Sequence, residues 1–434
     1  MKIKTITFSS FKSLRPLGVL GSILLGSALY IMPFQKVFST DHDDTDKDFT
    51  VHEWGTFTSL QGADGKVLEG MHHEEEHLPP FVHGRCKISS STSSIYKDDF
   101  KCIEMLLPPF SLQGVTQKME TPVLFFYSKV PVEAQVKVDF PKGIISQWYP
   151  TAASFFPPIS GIRGALAGGS MVWNIKVQTE TLATPPVDSN SVWAPSRQVA
   201  SNFLLAPPSR EGGQEEAEKF IFYRGLGSFD TPMSVKTDKQ GVFTITNASS
   251  EKIPAAFLLD FNGVKGFIIP LEDLKSKNEA IVHRSSLDDK WLPKDEFLNL
   301  ARDLVTNALL NSGLFPDEAL ALVDTWSNSY FLGHGTRLLY VLPDQWTNEL
   351  LPLAILPTPS HLVRTLVGRI EIFSADEEEK LLTAIKDSPS TGNTLNELIS
   401  SLGRLAEPKL RRLLILTSDE EVKKRIQDFF APRP

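Results

Sequence analysis

Read for the spacing of its apolar residues, the chain changes character twice. From Val51 to about residue 285, apolar positions recur at every second residue or in short runs bounded by Gly, Pro, Asn and Asp, the pattern of β-strands. The clearest case is Val132 to Phe140. There Val132, Ala134, Val136, Val138 and Phe140 alternate with Glu133, Gln135, Lys137 and Asp139, as a strand with one buried face requires. PVLFFY at 122–127 reads as its hairpin partner, with the turn near SKVP, and MVWNIKV at 171–177 reads as a further strand. Residues 178–218, polar and rich in Pro, Ser and Glu, read as a long excursion. Short strands follow at 220–223, around Val235, and at 242–246, 255–260 and 266–269, a spacing that suits a sandwich.

Near Leu292 the period lengthens. Apolar residues at 297, 298, 300, 301, 304, 305, 308 and 309 predict a helix over 293–311 that Gly313 stops. Pro316, followed by Asp317 and Glu318, opens a second helix running to about Tyr330. Strands return at 337–342 and 363–373. Ser374 with Glu377, Thr394 with Glu397 and Ser418 with Glu421 then form three capping boxes, each ahead of a helical run. The expected fold class is α+β. An N-terminal antiparallel β-sandwich-like region (49–285, one or two sandwiches) is followed by an α/β segment (286–373) and a small helical C-terminal tail (374–434).

The first residues predict export. Lys2, Lys4, Lys12 and Arg15 precede an uncharged run from Leu17 to Met32, and Val37-Phe38-Ser39 offers a signal-peptidase site. Residues 1–39 are therefore expected to be a signal peptide, with an uncleaved N-terminal membrane anchor as the alternative. The acidic stretch 40–48 has no apolar residue and reads as a linker. The expected location is periplasmic or extracellular, with no transmembrane segment in the mature chain. Losing 1–39 removes five cations and no acid, taking the net charge from −8 to −13. So acidic a chain is a poor partner for nucleic acid or anionic lipid. In an oxidising compartment Cys86 and Cys102, the only two cysteines, are expected to form a disulfide around a Ser-rich loop. The 28 Phe against 7 Trp and 7 Tyr point to core packing rather than a sugar-stacking surface.

Candidate chemistry concentrates in one stretch. His42, His52, His72, His73, His77 and His83 are six of the nine histidines, interleaved with Glu53, Asp64 and Glu74 to Glu76. Imidazole and carboxylate at this density suit a divalent first-row ion such as zinc. His73 to His77 spells H-E-x-x-H, but Gly70 and Pro79-Pro80 leave too little helix for a zincin site. His52 and Glu53 are neighbours on an expected strand, so they point to opposite faces. The candidate metal ligands are His52, Glu53, His73, His77 and Glu120. The glycines of Tyr223-Arg-Gly-Leu-Gly227 read as a tight turn rather than an anion cradle, and Arg404, Lys409, Arg411 and Arg412 as a solvated helix face beside Glu407.

VHEWGTFTSLQGADG at 51–65, KMETPVLFFYS at 118–128, FYRGLGSFDTP at 222–232, RLLYVLP at 337–343 and the run from LPLAILPTP to LVRTLVGRIEIFS resemble an uncharacterised exported bacterial family. The resemblance spans most of the mature chain. It implies export and one inherited architecture, and it brings no activity, cofactor or catalytic residue. His52, Glu53 and Glu120 fall inside these stretches, and HEEEH falls outside them. The first expectation for function is thus an exported envelope or periplasmic protein that binds a ligand or an envelope protein partner. The alternative is a metal-dependent hydrolase using the His/Glu cluster at 52–83.

Overall fold

The computed structural model describes residues 48–73, 77–85, 114–158, 168–208, 212–272, 274–388 and 394–430. The expected signal peptide, both cysteines of the expected disulfide, and Glu74 to Glu76 lie outside the described residues. The fold is α+β, strand-rich first and helix-rich towards the end. Among the described residues no helix is long and apolar enough to cross a membrane.

Among the described residues, a main sheet of eleven strands organises the fold. Its central strand, Thr50–Gln61, is buried from Val51 onward. On one side it runs parallel to His361–Ile372, with Thr50 opposite His361 and Gln61 opposite Ile372. On the other it pairs antiparallel with Gln117–Met119 and Val123–Tyr127. Beyond His361–Ile372 come Gly335–Val341, Ala256–Phe261 and Lys265–Pro270; beyond Gln117–Met119 come Phe220–Gly227 and Gly143–Tyr149. Strands from both sides of residue 285 thus share one sheet.

Both faces of this sheet are covered, and the sequence of each strand shows why. In Thr50–Gln61, Val51 and Phe57 point into one core while Trp54 points into another. Leu124 and Phe126 against Val123 and Phe125 divide in the same way, as do Leu338 and Tyr340 against Leu339 and Val341. A strand apolar on both sides can be stable only between two layers. The first layer is a second sheet, built on Val132–Phe140 and Gly169–Gln178, together with a small one of Met233–Thr237, Val242–Asn247 and Glu279–His283. The opposite layer is α1 (Lys294–Asn311) and α2 (Pro316–Trp326). Phe297, Ala301, Val305 and Leu309 of α1 line up at helical spacing on its buried face.

This arrangement corrects two readings of the sequence. PVLFFY and Val132–Phe140 are not a hairpin. The first lies in the main sheet and the second pairs with Gly169–Gln178 in the other sheet. A two-faced apolar strand and a one-faced alternating strand belong in different layers, and the chain crosses between them at residues 128–131. The supposed excursion at 178–218 contains strands Phe203–Ala206 and Glu216–Glu218, which extend the second sheet, and buries Trp193.

The end of the chain forms α3 (Asp344–Leu350), α4 (Ala375–Asp387), α5 (Thr394–Ser401), α6 (Ala406–Leu416) and α7 (Glu420–Phe430). The last four pack through Ile385, Ile399, Leu410, Leu413 and Ile426 onto Leu60, Leu68 and Met71. Ser374 caps α4 as expected, its Oγ accepting from the Glu377 N–H while Glu377 accepts from the Ser374 N–H at 2.9 Å. Ser374→Ala should therefore cost about 1 kcal/mol of stability, measurable as a shifted urea midpoint. At α7 the cap is Asp419 rather than Ser418: its Oδ1 accepts from Glu421 N at 3.1 Å.

Candidate metal centre

The strand geometry separates the first two predicted ligands. His52 faces α2, where its Nδ1 lies 2.7 Å from Glu318 Oε2. The Tyr127 hydroxyl donates to the other oxygen of Glu318 at 2.7 Å, and the ring of Phe315 packs against His52 at a tilt of 34°. Burial and the Glu318 charge push the Tyr127 phenol well above its usual range, so it remains a donor. Glu53 faces the opposite layer. One of its oxygens accepts from the Tyr223 hydroxyl, and the other accepts from Arg364 Nε at 2.6 Å. Both residues are committed to structural pairs on opposite sides of the sheet.

Glu120 sits on the helix-covered face, in a polar patch of the main sheet. Burial alone would raise its carboxyl. The charges of Arg404, Arg369, Arg224 and Lys118 outweigh that and hold it down at about 2. Arg404 is ion-paired to Glu120, and Arg224 Nε donates to the Glu120 carbonyl at 2.9 Å. Tyr330, from the π-turn Ser327–Phe331 that ends α2, donates to Thr56 at 2.8 Å and lies under the Arg369 guanidinium. Glu371, between Arg337 and Arg369, is likewise held at about 2 against its own burial. Arg224 sits within a strand and braces Glu120. Arg404 and Arg412, read from sequence as solvated, are largely buried, with Arg412 paired to Glu378 and Asp64.

The groups that meet are His72, His73 and Glu407. Each offers one ligand atom, and the three atoms lie within 4.8 Å of one another, the only such His/Cys/Asp/Glu group among the described residues. His72 Nε2 is 3.0 Å and His73 Nε2 3.3 Å from the same Glu407 oxygen, Oε2. Ligands at ~2.0–2.1 Å around a tetrahedral ion stand about 3.3 Å apart, so the two imidazole–carboxylate separations are already close to those of a coordination sphere. Of the five predicted ligands only His73 belongs to it. His77 is exposed, four residues further along.

Three elements build the cluster. The chain leaves the central strand, turns at Gly62 to Gly65 and returns to pack Gly70 on the first turn of α6. Gly70 has φ +111°, and a Cβ there would come 3.1 Å from Glu407 Cγ, so glycine permits both the turn and the approach. Lys118, buried in the sheet, donates to the carbonyl of His73 at 3.1 Å and of His72 at 3.4 Å, fixing the backbone that presents the two rings. The first turn of α6 supplies Glu407.

The protonation states suit metal donors. Burial pushes His72 below its ordinary value, only partly offset by Glu407, which favours neutral imidazole. Burial would raise Glu407, but hydrogen bonds from His72, His73 and Arg411 outweigh it and bring the carboxyl far below the usual carboxylate range. His72 is 3% exposed and His73 35%, so the cluster opens to solvent on the His73 side. Sequence reading reached one ring of the pair and missed Glu407, because a lone glutamate in a basic helix turn carries no spacing signal to histidines 334 residues away.

No protein-family model matches the chain, and none of the curated proteins matches it.

Proposed function

We propose that this is an exported metal-dependent hydrolase whose His72, His73 and Glu407 hold one divalent first-row ion. The observation that carries the reading is the convergence of two imidazoles and one carboxylate within 4.8 Å, partly open to solvent. Structural zinc sites close with four protein ligands, whereas hydrolytic sites keep three and leave a position for water. Such an ion would lower the pKa of a bound water and polarise a carbonyl or phosphoryl oxygen.

A second reading, an exported protein that binds a ligand or an envelope partner without metal, is favoured by a different observation. Glu407 is already satisfied by both histidines and by Arg411, so the cluster can stand as a hydrogen-bonded clasp between the strand loop and α6.

Elemental analysis by plasma mass spectrometry separates the two. Protein expressed with its own leader and without a histidine tag should carry about one equivalent of zinc, iron or manganese. Glu407→Gln and His72→Ala should each lose it, while His77→Ala should keep it. Wild-type protein that retains no stoichiometric metal after incubation with each ion would leave the clasp as the role of these residues.

A further inference from the structure

The two oxygens of Glu407 are used unequally. Both imidazoles approach Oε2. Arg411, one turn further along α6, places Nε and Nη2 each 2.8 Å from Oε1. Its guanidinium also lies over the ring of Phe430, 5.3 Å from the centroid, so α7 helps to hold it in place. A carboxylate can bind an ion through one oxygen or two. Here one oxygen is engaged by the Arg411 guanidinium and the other by the two histidines.

We propose that Arg411 is a positioning residue that keeps Glu407 a one-oxygen ligand, so that an ion held by His72, His73 and Glu407 retains a position for a small anion or water from solution. This rests on the metal reading above. Without Arg411, Oε1 would be free to rotate onto the ion, and the carboxylate would fill the vacancy itself. Neighbours that orient metal ligands commonly change a site's behaviour by ~10–100-fold. The Arg411–Glu407 pair contributes little to folding, because it is an i,i+4 pair with the Arg411 side chain 47% exposed. The variants should therefore fold.

The test uses cobalt(II) as the ion and azide as the anion, on the full mature chain. The wild type should take up one equivalent of cobalt, with a visible spectrum that shifts as azide is added. Arg411→Met should still bind cobalt, but with the weaker bands of a higher coordination number, and its azide response should weaken at least about tenfold. Arg411→Lys, which keeps a donor to Oε1, should restore much of the wild-type response. A wild type that binds no cobalt removes the metal reading itself. A wild type that binds cobalt and azide, with an Arg411→Met variant indistinguishable from it in both spectrum and azide affinity, overturns the role of Arg411 alone.

Discussion

Replacing Glu120 by alanine is expected to lower the unfolding free energy by about 3–5 kcal/mol at neutral pH, because it leaves buried cations without the carboxylate they surround. Arg404 loses its contact with the Glu120 carboxylate, and the charges of Arg369, Arg224 and Lys118 lose part of the negative charge that offsets them. Urea unfolding followed by tryptophan fluorescence should show an earlier midpoint, and Glu120→Gln, similar in size but uncharged, should recover little of it. The same pair of glutamates makes an acid prediction. Glu120 and Glu371 both sit at about 2 in the folded chain, against an ordinary 4.5. Between those values the unfolded chain binds protons that the folded chain refuses. The stability these carboxylates supply is complete above about pH 4.5 and is lost as the pH falls towards 2. Wild-type midpoints should therefore drop steeply across that window, and those of Glu120→Ala less steeply. Parallel curves for the two proteins would show that Glu120 does not titrate in this way.

Gly368→Ala is expected to cost roughly 3 kcal/mol, through overpacking rather than charge. Gly368 stands opposite Phe57 on one side and Tyr340 on the other, in the middle of the main sheet. The Tyr340 ring lies flat across it, and a Cβ would come 2.2 Å from Tyr340 Cζ. Neither partner can retreat, since Tyr340 is 1% exposed and packed beneath the second layer. The ring covers the space a side chain would fill, so the glycine is a packing requirement. The double variant Gly368→Ala/Tyr340→Ala should cost less than the sum of its single changes. Strict additivity of the two would mean that the ring is not the obstacle.

Much of the architecture is legible because local pattern and burial coincide. Val132–Phe140 alternates strictly, and it is a strand with one face covered. The α1 stripe at 297, 301, 305 and 309 is the buried face, and Gly313 at φ +99° stops the helix. What pattern alone could not give was partnership. The central strand reads as a strand, yet nothing in TVHEWGTFTSLQ names HLVRTLVGRIEI as its neighbour. Polarity misled for a related reason. Arg404 and Arg412 look solvated in a basic helix, because the acids that neutralise them, Glu120 for the first and Glu378 and Asp64 for the second, lie on other elements of the fold. The candidate site failed to appear for the same cause. His73 is legible as a candidate ligand, while His72 is only one of six clustered histidines and Glu407 becomes a neighbour only once α6 docks beside Gly70. The opposed directions of His52 and Glu53 were legible, because a strand's period settles them without knowledge of the fold.

The parallel pairing at the centre of the main sheet also orders events in time. Among the described residues, Ala256–Phe261, Lys265–Pro270 and Gly335–Val341 join the earlier strands of that sheet only through the seam between His361–Ile372 and Thr50–Gln61. The two sides of the seam are 311 residues apart in the chain. At ~5–20 residues per second, a ribosome needs roughly 15–60 s to make the second after the first. Until the second is in place, the first strand can hold its antiparallel neighbours but has one edge without its partner, an invitation to wrong pairing. The sheet therefore cannot be completed from its beginning outward. It is sewn shut by the last of the described strands to be made, and a chain cut just before residue 361 would leave its central strand as an edge.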